Sequence, residues 1–87
     1  MDNKTHQPDV SFVSYVVASL VKDSNLTTFN VERRVDEKGV LLTIKIDGQY
    51  MGRVIGKGGE TVNAIRALLH ALGSSNGAHY SLKVEKR

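Results

Sequence analysis

Five of the eight glycines in this 87-residue chain fall between Gly48 and Gly59, where two stretches with helical patterning, Tyr50 to Ile55 before and Glu60 onward after, flank a sharp backbone bend. Glycine is the default residue wherever the backbone must take positive φ or let another group approach without a Cβ in the way. A cluster of this kind between two helices demands a sharp bend, here Gly52-Arg53-Val54-Ile55-Gly56-Lys57-Gly58-Gly59-Glu60-Thr61-Val62. The rest of the fold has to be built so that these two helices are held on either side of that bend.

The remaining elements follow from periodicity. Val10, Val13, Val16, Val17, Leu20 and Val21 recur at three- and four-residue steps, one apolar face of a helix entered at Pro8 and Asp9. The run is rich in β-formers, but it exceeds a usual strand and lacks strict alternation. Phe29, Val31, Arg33 and Val35 alternate with polar residues, then the turn Asp36-Glu37-Lys38-Gly39 leads into Val40 to Ile46, which reads as a β-hairpin. Val40, Leu42, Ile44 and Ile46, with Leu41 beside them, make the second strand the central one. After the bend, Val62, Ile65, Leu68, Leu69 and Leu72 line one helix face and Gly73 supplies a stop, with a loop expected from Ser74 to Ala78. Tyr80, Leu82 and Val84 alternate in a last strand. The order is helix, strand, strand, helix, helix, strand. A right-handed crossover makes the third strand parallel to the second, so an α+β domain with a three-stranded mixed sheet and helices on one face is expected.

Size and composition close off other classes. Residues 1–8 read as a flexible polar leader and 9–87 as a single domain, too short to divide further. There is no cysteine, which removes disulfides, thiolate metal sites and thiol nucleophiles. No apolar run is long enough to span a membrane, and the polar start lacks the apolar stretch of a secretion signal, so a cytoplasmic location is expected. Twelve Lys and Arg against nine Asp and Glu leave a net charge of +3, which suits an anionic partner without proving one. His6, His70 and His79 lack metal-ligand spacing, and no nucleophile elbow or H-E-x-x-H motif is present. Neither enzyme, cofactor nor metal is expected.

The glycine bend fits neither common phosphate loop. A P-loop requires four residues between its glycines and a Ser or Thr after the lysine, whereas three residues separate Gly52 from Gly56 and Gly58 follows Lys57. A dinucleotide fingerprint requires a strand directly before it, and this bend joins two helices. The amides of Gly58, Gly59 and Glu60 are expected to open the second helix, where free donors and the macrodipole favour an anion, with Lys57 beside them and Arg53 and Arg66 extending the positive strip.

Gly56-Lys57-Gly58-Gly59 resembles the GXXG loop of K-homology (KH) RNA-binding domains, and Val54-Ile55 before it and Val62 after it resemble that family's apolar signature positions. The element order resembles the type II KH arrangement, α-β-β-α-α-β, over roughly Asp9 to Glu85. Met51 to Lys57 and Ala64-Ile65-Arg66 are similar to small bacterial single-KH proteins of the KhpA kind, while Gly59-Glu60-Thr61 is similar to the KH domain of their Jag or KhpB partners. The resemblance implies that Gly56, Lys57, Gly58 and Gly59 clamp the backbone of about four nucleotides of single-stranded RNA. Val54, Ile55 and Val62 then bind or support bases, with Ile44 and Ile46 as further contributors, and Arg53 and Arg66 act electrostatically. The same apolar residues read equally as core, and the two arginines as a solvated surface.

The five aromatics are scattered, so no stacking platform is indicated and readout is expected to be weakly sequence-specific. Single-stranded DNA is not distinguished from RNA. The resemblance further implies an RNA chaperone or post-transcriptional regulator acting as a homodimer, or as a heterodimer with a Jag/KhpB-type partner. The alternative is a protein-interaction (dimerisation) module with little RNA affinity of its own.

Overall fold

The computed structural model describes residues 8–22 and 27–87. The stretch read as a polar leader therefore lies outside the described residues except for Pro8, which begins the first helix. The elements are α1 (Pro8–Val21), β1 (Phe29–Asp36), β2 (Gly39–Ile46), α2 (Met51–Ile55), α3 (Glu60–Asn76) and β3 (Tyr80–Lys86), with short 3-10 turns at Gly48–Tyr50 and Lys57–Gly59. The expected order α-β-β-α-α-β is the observed one. The sheet runs β1-β2-β3, with β1 antiparallel and β3 parallel to β2. Tight pairing at the hairpin is helped by Asp36, whose Oδ1 accepts the Lys38 N–H at 2.8 Å across the two-residue turn.

One face of the sheet meets the helices. Leu42, Ile44 and Ile46 of the central strand are fully buried there, together with Val13, Val17 and Val21 from α1, Val54 from α2, and Val62, Ile65 and Leu69 from α3. Each such side chain contributes about 1.5–3 kcal/mol relative to exposure, so β2 holds the domain together from its middle. The other sheet face carries Glu32, Thr43, Lys45, Lys83 and Glu85, with ion pairs from Lys45 to Glu32 (3.6 Å) and from Lys83 to Glu85 (2.8 Å).

Two sequence expectations for α3 are corrected. The helix does not stop at Gly73 but continues through Ser74 and Ser75 to Asn76 and ends at Gly77, whose φ of 76° supplies the left-handed cap. Gly73 is glycine for packing: a Cβ there would lie 2.3 Å from the Ala78 carbonyl oxygen and 3.0 Å from the Tyr80 ring. Its carbonyl accepts the Ala78 N–H at 2.9 Å, which turns the chain directly into β3. Leu68, expected on the buried face, is 55% exposed. The buried stripe is Val62, Ile65, Leu69 and Gly73, and Leu68 is rotated about 100° from Leu69 around the helix axis.

Asp9 extends the buried Val13-Val17-Val21 stripe by one four-residue step and is only 3% exposed. Its Oδ2 accepts hydrogen bonds from the Arg33 Nε of β1 and the Tyr80 hydroxyl of β3, both at 2.9 Å. The start of α1 is thereby fastened to both outer strands. Burial pushes the Asp9 carboxyl up, but hydrogen bonds from Arg33, Tyr80 and the Val10 N–H, with the Arg33 charge, outweigh it and hold the group below its ordinary 3.8. A depressed carboxylate contributes stability that is fully present above the ordinary value and is lost as pH falls through the folded one. Asp9→Asn is therefore expected to cost about 2 kcal/mol at pH 7, and the gap to wild type should narrow as pH drops below about 4. Urea unfolding of both proteins at neutral and strongly acidic pH measures this; an undiminished gap in acid contradicts the assignment. Arg87 is fastened too, since it pairs with Asp47 at 3.0 Å and donates to Asn30 at 3.1 Å.

Candidate nucleic-acid interface

α2 is a short helix because its C-terminus is closed by glycine: the Gly56 N–H donates to the Gly52 carbonyl at 2.8 Å, and the backbone then leaves helical space at φ 78°, ψ 170°. Here the chain folds tightly back onto the start of α3. A Cβ on Gly56 would sit 2.3 Å from Thr61 Oγ1 and 2.8 Å from the Thr61 nitrogen. Lys57 to Gly59 form one 3-10 turn, in which the Gly59 N–H donates to the Gly56 carbonyl at 3.1 Å and the Glu60 N–H to the Lys57 carbonyl. Two of the three amides expected to face an anion are thus consumed by the turn, and Gly58 is the one of the three for which the turn provides no acceptor.

Gly58 (φ 62°, ψ 17°) and Gly59 (φ 81°, ψ 10°) are both left-handed. Nothing lies within 4 Å of the Cβ position of Gly58, and Gly59 has only Asn63 Nδ2, at 3.7 Å. The outer side of the turn is therefore bare backbone. Lys57 is exposed and has no ion-pair partner among the described residues.

The flanking residues divide by task. Val54 (0% exposed) and Val62 (6%) are core residues that support the loop from beneath, as are the fully buried Ile44 and Ile46. Ile55 is half-buried and is the apolar signature residue that retains surface. Arg53 is exposed, with its guanidinium carbon 5.9 Å from the centre of the Tyr50 ring, a cation–π arrangement. Arg66 is held by partners within the domain: its Nε and Nη2 donate to the Leu82 carbonyl at 3.3 and 3.2 Å, and its Nη1 to Asn63 Oδ1 at 2.8 Å. It ties α3 to β3, an edge strand. The structure thus gathers Gly56, Lys57, Gly58 and Gly59, with Ile55 and Arg53 on the preceding helix, and gives Val54, Val62 and Arg66 supporting positions.

Two residues at this place were not singled out from sequence. Tyr50 precedes α2 and lies under Arg53. Asn63 is one helical turn after Gly59, a spacing that puts the two on one side of the helix and was available to find it. His70 and His79 stack with ring centres 6.5 Å apart, and among the described residues no group of three His, Asp or Glu side chains is placed to hold a metal; His6 lies outside the described residues.

The family model for the KhpA/KhpB KH domain matches residues 10–84, nearly the whole of the described fold. The chain belongs to the KhpA/KhpB KH-domain family. It is similar to the RNA-binding protein KhpA of Borreliella burgdorferi, with 26% identity over 81 residues covering 93% of this chain and 96% of that protein. No solved structure matches. The family is one of RNA-binding KH domains, and among the described residues no helix is long and apolar enough to cross a membrane.

Proposed function

We propose that the chain holds single-stranded RNA at the Gly56–Gly59 loop, with the sugar-phosphate backbone laid against the left-handed glycines and the Lys57 ammonium on a phosphate. The observation that carries this reading is the bare outer side of Gly58 and Gly59 beside a lysine that has no ion-pair partner among the described residues. A phosphate can approach such a turn to hydrogen-bond distance, which a Cβ would prevent. Ile55 offers apolar surface to a base, Arg53 supplies charge next to the Tyr50 ring, and Val54, Val62 and Arg66 hold the two helices and β3 in register. With so few side chains able to read base edges, the expected binding is weakly sequence-specific, and single-stranded DNA is a competing polymer.

On this reading the protein acts in the cytoplasm as an RNA chaperone or post-transcriptional regulator, together with a Jag/KhpB-type partner. The family name pairs the two proteins and supports the partnership.

The test is an NMR titration of isotope-labelled protein with a mixed-sequence single-stranded RNA at two salt concentrations. Amide shifts centred on Gly56 to Val62 are expected. With about three phosphates contacted, affinity should fall roughly 30-fold between about 50 and 250 mM salt. A flat response across the loop would overturn the clamp and favour a protein-interaction module.

A further inference from the structure

The glycine turn is short of donors for a strand laid against it. The Gly59 and Glu60 N–H groups close the turn, which leaves the Gly58 N–H and the Lys57 ammonium. One further donor stands at this place. Asn63 is exposed, and its Nδ2 lies 3.7 Å from the point that a Cβ on Gly59 would occupy. Chemistry fixes which way the amide is turned. Asn63 Oδ1 accepts the Arg66 Nη1 hydrogen bond at 2.8 Å, and a guanidinium carries donors only, so the reversed amide would set N–H against N–H. Arg66 is not free to follow a turning amide, because its Nε and Nη2 are held on the Leu82 carbonyl at 3.3 and 3.2 Å. The Asn63 Nδ2 group therefore faces Gly59, and among the described residues it has no acceptor.

On the reading of Gly56–Gly59 as the clamp, we infer that Asn63 is a further RNA-contacting residue, positioned by Arg66. Its side-chain amide donates to an oxygen of the sugar-phosphate backbone that lies over Gly59. An acceptor entering the space left by the missing Cβ, slightly nearer the amide, is at hydrogen-bonding distance. Gly59 then has two reasons to be glycine. Its φ of 81° favours one, and a side chain there would fill the path to the amide. Asn63 is a neutral donor, so it fixes where the oxygen sits without adding to the salt-dependent attraction that Lys57 supplies.

Isotope-labelled wild type, Asn63→Ala, Arg66→Lys and the double variant are titrated with a single-stranded RNA and with DNA of the same sequence, at two salt concentrations. Asn63→Ala is expected to bind RNA about fivefold more weakly, by the same factor at both salt concentrations, because no charge is removed. The Asn63 side-chain amide signal, identified by its loss in Asn63→Ala, should shift with RNA alongside the Gly58 backbone amide. Arg66→Lys keeps the charge but not the fork that orients Asn63, and should weaken binding about threefold. The double variant should bind no more weakly than Asn63→Ala, since the two residues act as one unit. Equal losses on RNA and DNA assign the acceptor to a phosphate oxygen; a loss on RNA alone assigns it to the ribose 2′-hydroxyl. Thermal unfolding checks that the variants fold. Loop amides that shift while the Asn63 side-chain amide stays still, with wild-type affinity in Asn63→Ala, overturn the inference and leave the clamp standing. Additive losses in the double variant overturn the positioning by Arg66, and no shift from Gly56 to Gly59 overturns the clamp and the Asn63 contact together.

Discussion

Lys57→Asp combined with Gly58→Asp is expected to lower affinity for single-stranded RNA at least about 100-fold. Charge-assisted hydrogen bonds are worth about 1.5–3 kcal/mol each, and the double variant removes the lysine contact while placing two carboxylates where the phosphate would sit. The fold should survive. Lys57 is exposed, and Gly58 has open space at its Cβ position. Its left-handed φ of 62° is one that aspartate, with its short polar side chain, visits at a cost of about 1 kcal/mol. Fluorescence anisotropy with a labelled single-stranded RNA gives the affinity, and thermal unfolding gives the control. An affinity within about twofold of wild type, in a protein that melts normally, would remove the loop from the binding site.

Gly56→Ala is expected to be far more damaging to the fold than Gly58→Ala, although both glycines belong to the same four-residue motif. At φ 78°, ψ 170° Gly56 occupies backbone space that is essentially closed to residues with a Cβ, a penalty of about 1–3 kcal/mol. The added carbon would also meet Thr61 Oγ1 at 2.3 Å and the Thr61 nitrogen at 2.8 Å. The second of these is backbone at the start of α3 and cannot rotate away. A loss of about 2–4 kcal/mol is expected, against about 1 kcal/mol for Gly58→Ala, whose Cβ meets nothing within 4 Å. Chemical denaturation of the two variants side by side decides the matter. Equal stabilities would mean that the loop in solution does not have this shape. Weaker RNA binding by the part of Gly56→Ala that remains folded is the accompanying expectation, since the turn that presents Gly58 starts from the Gly56 carbonyl.

These two glycines show how far a sequence motif carries. The pattern Gly56-Lys57-Gly58-Gly59 marks the place of the turn, but treats its glycines alike. The structure separates them: Gly56 is glycine because the chain packs against Thr61, whereas Gly58 and Gly59 leave the outer side of the turn bare. The same limit appears at Gly73, where a glycine near the end of a helical pattern reads as a stop and is in fact a close contact with Ala78 and Tyr80. Local spacing cannot distinguish a glycine that ends a helix from one that lets another strand pass.

Element types, their order and the central place of β2 were legible in the sequence because they depend on near-neighbour periodicity, which a linear reading samples directly. Val13, Val17, Val21, Val62, Ile65 and Leu69 are buried as their spacing requires. The position of the glycine bend between two helices was legible for the same reason. Only the tertiary structure decided what Asp9, Arg66 and Arg87 do, because their partners are Arg33 and Tyr80, Leu82, and Asp47, residues 16 to 71 positions away. It also decided that Leu68 faces outward, and that the amides of Gly59 and Glu60 close a turn and are not left for an anion. Periodicity states which face of an element is apolar; which polar groups meet across elements is set by how those faces pack, and that information is not local to any stretch of the chain.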